Sequence, residues 1–240
     1  MNYSNRIALY SDVGDDIGAV EYVQHMGTDL TVVNSARVSF GKHKETLDER
    51  DEKLIKYLIK HRHTSTLEHN NVTFRFIVPL FIRSQHHRHR TWSFNEVSRR
   101  YTEENIRFYE PNVFRTQHVS NRQASNADHL INPQLTHNHT GLDARSAYME
   151  HNRSAVQLYN ELIDAGVCRE QARGVLPMCL YTEYYGTVDL SNLLKFVDLR
   201  THDGAQQEIQ VVAKACLKIA EDLWPVTVHA YQEVIGLTAT

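Results

Sequence analysis

At 240 residues, with 41% hydrophobic content and a formal net charge of -3, the chain has apolar mass for a real core. That balance excludes a disordered chain and one that binds nucleic acid over its whole surface. No run of about eighteen apolar residues exists to span a membrane, and the opening "MNYSNRIALYSDVGDD" lacks the apolar h-region of a secretory signal.

Cys168, Cys179 and Cys216 are odd in number and have no CxxC spacing, so buried free thiols in a reducing cytoplasm are expected. Fifteen histidines raise the question of a metal. Their densest groups, "HRHTSTLEH" and "QHHRHR", match neither HExxH nor a zinc-finger spacing, and arginines between His86, His87 and His89 would repel a cation. No metal is expected.

In chain order, "DLTVVNSARVSF" is an apolar stretch, strand or helix, that ends in a loop. "DERDEKLIKYLIKH" places Leu54, Ile55, Leu58 and Ile59 on one helical face, with acids in its first turns. "NVTFRFIVP" alternates Val72, Phe74, Phe76 and Val78 in the strand period. Pro79 then opens a short helix, "PLFIRSQHHRHR", where its missing N–H is not needed. Residues 109–143 are polar and without a period, which predicts a long loop. "SAYMEHNRSAVQLYNELIDAG" returns to helix with Gly166 as its C-terminal stop. "EQARGVLP" predicts a short helical segment ended by Pro177, and "MCLYTEYYGTVDL" a strand. Two helices follow, "SNLLKFVDLRTH" and "AQQEIQVVAKACLKIAEDLWP", the second with Ile209, Val212, Ala213, Cys216 and Ala220 inward. The class is α+β, a strand–helix core with helical additions, and no boundary divides residues 1–240.

The chemistry concentrates in "RHRTWSFNEVSRRY", where Arg88, Arg90, Arg99 and Arg100 surround Trp92 and Phe94. Guanidinium groups grip oxyanions bidentately, so the stretch suits a phosphate-bearing ligand. A solvated basic face is the plain alternative, and a nucleic-acid-binding module without catalysis a third. Ser93, Asn95, Glu96 and Ser98 add directional donors and acceptors that a solvated face does not need. Trp92 and Phe94 read as packing or stacking supports, and Trp224 as core at a helix end.

This stretch resembles the signature of flavin-dependent thymidylate synthases, RHRxxSxNExSxR, at every specified position. "NSARVSF", "HRHTSTLEH", "REQARGVLP" and "LLKFVDLRTHDGAQQEIQ" are similar to further blocks of that family, in family order. The resemblance implies a central, mainly antiparallel sheet with flanking helices and a helical subdomain. It implies reductive methylation of dUMP to dTMP, with methylenetetrahydrofolate as carbon donor and FAD relaying a hydride from NADPH. A flavin- and folate-dependent hydroxymethylation is the related alternative.

Carried over by position, Ser65, Arg88, His89, Arg90 and Glu96 would contact FAD. Gln85, Glu96, Ser98, Arg99, Arg100, Arg173 and Arg200 would contact dUMP, with Arg200 favouring the N3-deprotonated uracil ring. Ser98 has no evident histidine base in a triad arrangement, so it reads as a positioning hydroxyl. The family pattern of flavin contacts is not matched at Asp189, Ser191 and Lys195, where Lys195 would replace a lost arginine. The resemblance further implies a homotetramer with sites shared between chains. It implies no metal, nucleic-acid or membrane partner.

Overall fold

The alternation of Val72, Phe74, Phe76 and Val78 builds the middle of a five-stranded antiparallel sheet, and all four side chains are buried. The computed structural model describes residues 6–98, 106–136 and 141–236. Strands β1 (Arg6–Ala8) and β2 (Ala19–Met26) lead to helix α1 (Asp29–Arg37) and helix α2 (Glu49–Lys60). Strand β3 (Asn71–Pro79) runs directly into helix α3 (Leu80–His86), and β4 is Ser93–Glu96. Next come β5 (Phe114–Gln117), β6 (Ser125–Ile131), β7 (Gln134–Leu135) and β8 (Leu142–Asp143). The long α4 (Ala144–Asp164) and short α5 (Arg169–Ala172) precede β9 (Tyr181–Asp189). Helices α6 (Leu190–Thr201), α7 (Gln207–Leu223) and α8 (Pro225–Ile235) complete the described chain. The main sheet has the order β1-β2-β3-β9-β4, and every pairing is antiparallel.

Most expected elements form where their periodicity places them. In α2, Ile55 and Leu58 are buried while Leu54 and Ile59 pack partly buried against the core. In α7, Ile209, Val212, Ala213, Cys216 and Ala220 are all buried, and Trp224 is sealed at its end. Gly166 follows α4 with φ 88°, a left-handed turn that a side chain would strain. "DLTVVNSARVSF" proves to be α1 followed by a short 3-10 turn, Val38–Phe40.

Three readings need correction. Residues 109–143 are not a structureless loop, because β5 and β6 pair as an antiparallel ribbon and β7 pairs with β8. Most side chains of β6 are exposed, so no apolar alternation marked it. Side-chain amides stabilise the ribbon instead: Asn126 Nδ2 donates to Thr116 Oγ1 at 2.9 Å, and Gln117 Nε2 to the Ala124 carbonyl at 2.8 Å. Strand β2 and helix α8 carried no expectation at all, and both are core elements. Cys168 is exposed; only Cys179 and Cys216 are buried thiols.

The register between β3, β9 and β4 prepares the ground under the arginine-rich stretch. Phe74 and Phe94 both lie opposite Gly186, on either side of it. A Cβ there would come within 2.9 Å of the Phe76 ring and 3.2 Å of Trp92, so only glycine lets these rings close over β9. Trp92 and Phe94 stack in parallel at 6.0 Å, and His86 sits edge-on to Trp92 at 4.5 Å. The turn carrying Arg88–Arg90 therefore rests on a rigid aromatic floor.

Candidate active site

Helix α3 starts at Leu80 because Pro79, still extended at ψ 153°, ends the strand and needs no amide hydrogen. It ends after two turns, projecting Gln85 and then His89 toward the C-terminal end of α6. There the Arg200 Nε–H donates to His89 Nε2 at 3.0 Å. A guanidinium only donates, so Nε2 is the lone-pair nitrogen and the His89 ring proton sits on Nδ1. Burial, then the charge of Arg200, pushes His89 down to about 4. His86 is driven well below its ordinary value by burial and by the neighbouring His89, His87 and Arg200. His87 is also lowered, chiefly by burial. At neutral pH the cluster is thus cationic through its arginines alone.

Glu96 is exposed at the end of β4, where Thr182 Oγ1 donates to its Oε1 at 2.7 Å and Arg83 Nε approaches the same oxygen at 3.2 Å. Glu96 thus pairs with an arginine that the motif does not contain. Gln85 donates through Nε2 to Gln206 Oε1, and Gln206 donates in turn to Glu208 Oε2 at 2.9 Å. Gln85, His89 and Arg200 are therefore joined to one cleft between α3, the end of α6 and the start of α7.

The remaining expected residues are spread more widely. Ser65 is exposed on the 3-10 turn Thr64–Thr66, and Arg88 and Arg90 are exposed on the turn after α3. Ser98 is half-buried beyond β4. Arg173 is exposed on its own 3-10 turn, and no described hydrogen bond or ion pair joins it to Gln85, Glu96 or Arg200. Arg99 and Arg100 lie outside the described residues.

The sequence model of the family described as "thymidylate synthase complementing protein" matches residues 21–226. The flavin-dependent thymidylate synthase of Thermus thermophilus is 41% identical over 220 residues, covering 91% of this chain and 77% of that one. That of Thermotoga neapolitana is 38% identical, covering 90% and 91%. The chain belongs to the flavin-dependent thymidylate synthase family. A solved structure of the UMP/dUMP methylase PolB from Streptomyces cacaoi, bound with 5-Br dUMP, superimposes with a TM-score of 0.76 at 33% identity. The match covers 89% of this chain and 94% of that one.

Within this family frame a second feature gains meaning. A cavity of about 460 Å³ opens where the end of α2, the Thr64–Thr66 turn, α6 and α8 meet. Leu194 and Tyr231 line it, with Arg62, Lys195 and Lys60 supplying three cations against the one carboxylate of Asp198. Ser191 also lines it, almost fully buried, and its Oγ has no hydrogen-bond partner among the described residues. An apolar wall, a cationic rim and an unsatisfied hydroxyl fit a ring that carries phosphates, as the adenylate half of a flavin dinucleotide does. Two of the three residues that depart from the family pattern, Ser191 and Lys195, line this cavity. The third, Asp189, caps α6 by accepting from the Asn192 amide at 2.9 Å and from its Nδ2 at 2.6 Å.

Sequence reasoning missed Arg83, Gln206, Glu208 and Arg62. Gln206 and Glu208 stood inside the "AQQEIQ" block, so their signal was present without a role. The neutral histidines make one prediction. A histidine whose folded pKa lies below its unfolded value of about 6.5 adds stability that is complete above that value. It is lost as pH falls toward the folded value, about 4 for His89. Melting temperature should therefore drop by roughly 5 °C between pH 7 and pH 5, and His89→Gln should reduce the drop. A melting temperature flat across that interval would contradict neutral, desolvated imidazoles.

Proposed function

We propose that this chain converts dUMP to dTMP by reductive methylation, with methylenetetrahydrofolate giving the carbon and NADPH the reducing equivalents through FAD. The observation that carries this reading is the Arg200–His89 pair, a donor-only cation fixed beside a neutral imidazole in a half-buried cleft. Uracil bound there would lose its N3 proton more readily, because a fixed guanidinium stabilises the developing ring anion where water is scarce. His89 holds Arg200 at its Nε and leaves the fork of terminal nitrogens for the ring edge. Gln85, Glu96 and Ser98 would orient the nucleotide, and Arg99, Arg100 and Arg173 would hold its phosphate.

Ser65, Arg88, His89, Arg90 and Glu96 would hold FAD, with Ser191, Lys195 and Arg62 receiving its adenylate end. When bound, the flavin supplies the hydride relay that no side chain can provide. Assembly is a homotetramer in which each site takes residues from more than one chain. The unpaired cysteines suit a cytoplasmic setting.

The test supplies purified protein with dUMP, methylenetetrahydrofolate and NADPH, and weighs the nucleotide product. A mass corresponding to dTMP, from a protein that releases stoichiometric FAD on denaturation, is the expected result. A hydroxymethylated product would overturn the reaction, and a folded protein that neither holds nor takes up FAD would overturn the cofactor.

A further inference from the structure

Glu208 sits almost fully buried at the first turn of α7. Its Oε1 accepts from Arg115 Nη2 at 2.6 Å and from the Tyr109 hydroxyl at 3.2 Å, and its Oε2 accepts from Gln206 Nε2 at 2.9 Å. A carboxylate held by a guanidinium offers only acceptors, whereas a glutamine amide has one donor end and one acceptor end. With its donor end committed to Glu208, Gln206 must turn its Oε1 the other way. That oxygen accepts from Gln85 Nε2. The Gln85 Oε1 is then the atom left over, and no hydrogen bond to it is made among the described residues. Rotating Gln206 would set oxygen against oxygen and nitrogen against nitrogen, losing bonds at both junctions, and rotating Gln85 would set its oxygen against that of Gln206.

We propose that Glu208 is a positioning residue whose acceptor-only carboxylate, relayed through Gln206, fixes Gln85 to present a carbonyl oxygen to the nucleotide and so selects a sugar hydroxyl. This rests on the reading that Gln85 faces dUMP. An outward oxygen cannot serve a phosphate or a uracil carbonyl, since both are acceptors. Two donors exist on dUMP, the ring N3–H and the 3′-hydroxyl. Arg200 favours the ring without its N3 proton, which leaves the hydroxyl. Arg115 gives the device its anchor: it lies in β5 and donates from Nε to Ser125 Oγ of β6 at 2.9 Å. The base of the β5–β6 ribbon and the nucleotide contact thereby share one carboxylate.

The relay is tested by titrating flavin-loaded protein with dUMP and with its 3′-fluoro-3′-deoxy analogue, whose fluorine occupies the hydroxyl's place but cannot donate. Wild-type protein should bind the analogue roughly tenfold more weakly, the loss expected when a carbonyl oxygen is left facing an acceptor. In Glu208→Gln, Arg115 and Tyr109 keep the remaining oxygen, so the new amide nitrogen faces Gln206 and reverses both amides. Gln85 then presents N–H, and this variant should bind the fluoro analogue more tightly than wild-type protein does. A general loosening of the fold would not produce that gain. Gln206→Leu removes the middle of the relay while sparing the Glu208–Arg115 pair, and should shrink the preference even if Glu208→Gln does not fold. Folded variants that keep the wild-type preference would overturn the relay, as would wild-type protein that binds both nucleotides equally. Flavin-loaded wild-type protein that takes up no dUMP would instead overturn the reading on which the relay rests.

Discussion

Arg200→Lys is expected to load FAD fully and still bind dUMP, yet to lose about 10²–10³-fold in turnover, the cost of removing one oriented donor from a developing anion. In the structure the Nε–H of Arg200 is committed to His89, so only a side chain with further nitrogens can reach the ring while remaining held. Lysine ends in a single point charge and must give up one of the two. Single-turnover formation of dTMP at saturating dUMP, with flavin content measured in parallel, decides the matter. Turnover near that of wild-type protein would remove Arg200 from the chemistry.

The same position tests whether the site is shared between chains. Arg100→Ala and Arg200→Ala should each be nearly inactive alone. After subunit exchange, half of the paired chains are mixed, and each mixed pair holds one intact site and one doubly damaged one. About a quarter of all sites should then recover by symmetry counting. Activity that stays at the mutant baseline after demonstrated exchange would mean that each chain builds its own site.

The largest stability effect is expected from Asp51→Asn, at about 3 kcal/mol, as for a buried ion cluster that loses one partner. The Asp51 side chain is fully buried. Its Oδ1 accepts from Arg37 Nη2 at 2.5 Å, and its Oδ2 accepts from Lys44 and from the Asp48 amide at 3.1 Å. Three jobs meet in one carboxylate: tying α1 to α2, anchoring the segment between them, and closing the N-terminal capping box of α2. Asparagine can replace one acceptor but leaves Arg37 short of a counter-charge and Lys44 with Asp48 alone, at 2.7 Å. Denaturant unfolding should show the midpoint falling with little change in slope. A loss below about 1 kcal/mol would mean that the cluster is no stronger than a surface pair.

Arg37 illustrates how far a motif can be read. It belongs to "NSARVSF", one of the blocks shared with the family, yet the structure spends it on Asp51 and not on the cleft. In "RHRTWSFNE" the expected packing of Trp92 and Phe94 did form, while its histidine and glutamate took partners the motif does not name. An arginine's reach spans several neighbours, and sequence does not say which of them it meets.

What the sequence determined by itself was whatever depends on local period and short spacing. The alternation in β3, the apolar faces of α2 and α7, the proline before α3 and the glycine after α4 are properties of neighbouring residues, and all formed as expected. The tertiary structure alone decided what depends on residues far apart in the chain. His89 and Arg200, 111 positions apart, orient each other, and the charge of Arg200 adds to burial in keeping His89 neutral. Gln85 and Gln206, 121 apart, acquire a polarity from Glu208, which touches Gln206 and not Gln85. The β5–β6 ribbon was invisible for a related reason: its strands are stabilised by pairing and polar side chains without an apolar face, so no periodic pattern announced it. Short-range patterning selects elements through burial of a face, whereas charge state and hydrogen-bond polarity follow from which groups the fold brings within about 3 Å of one another.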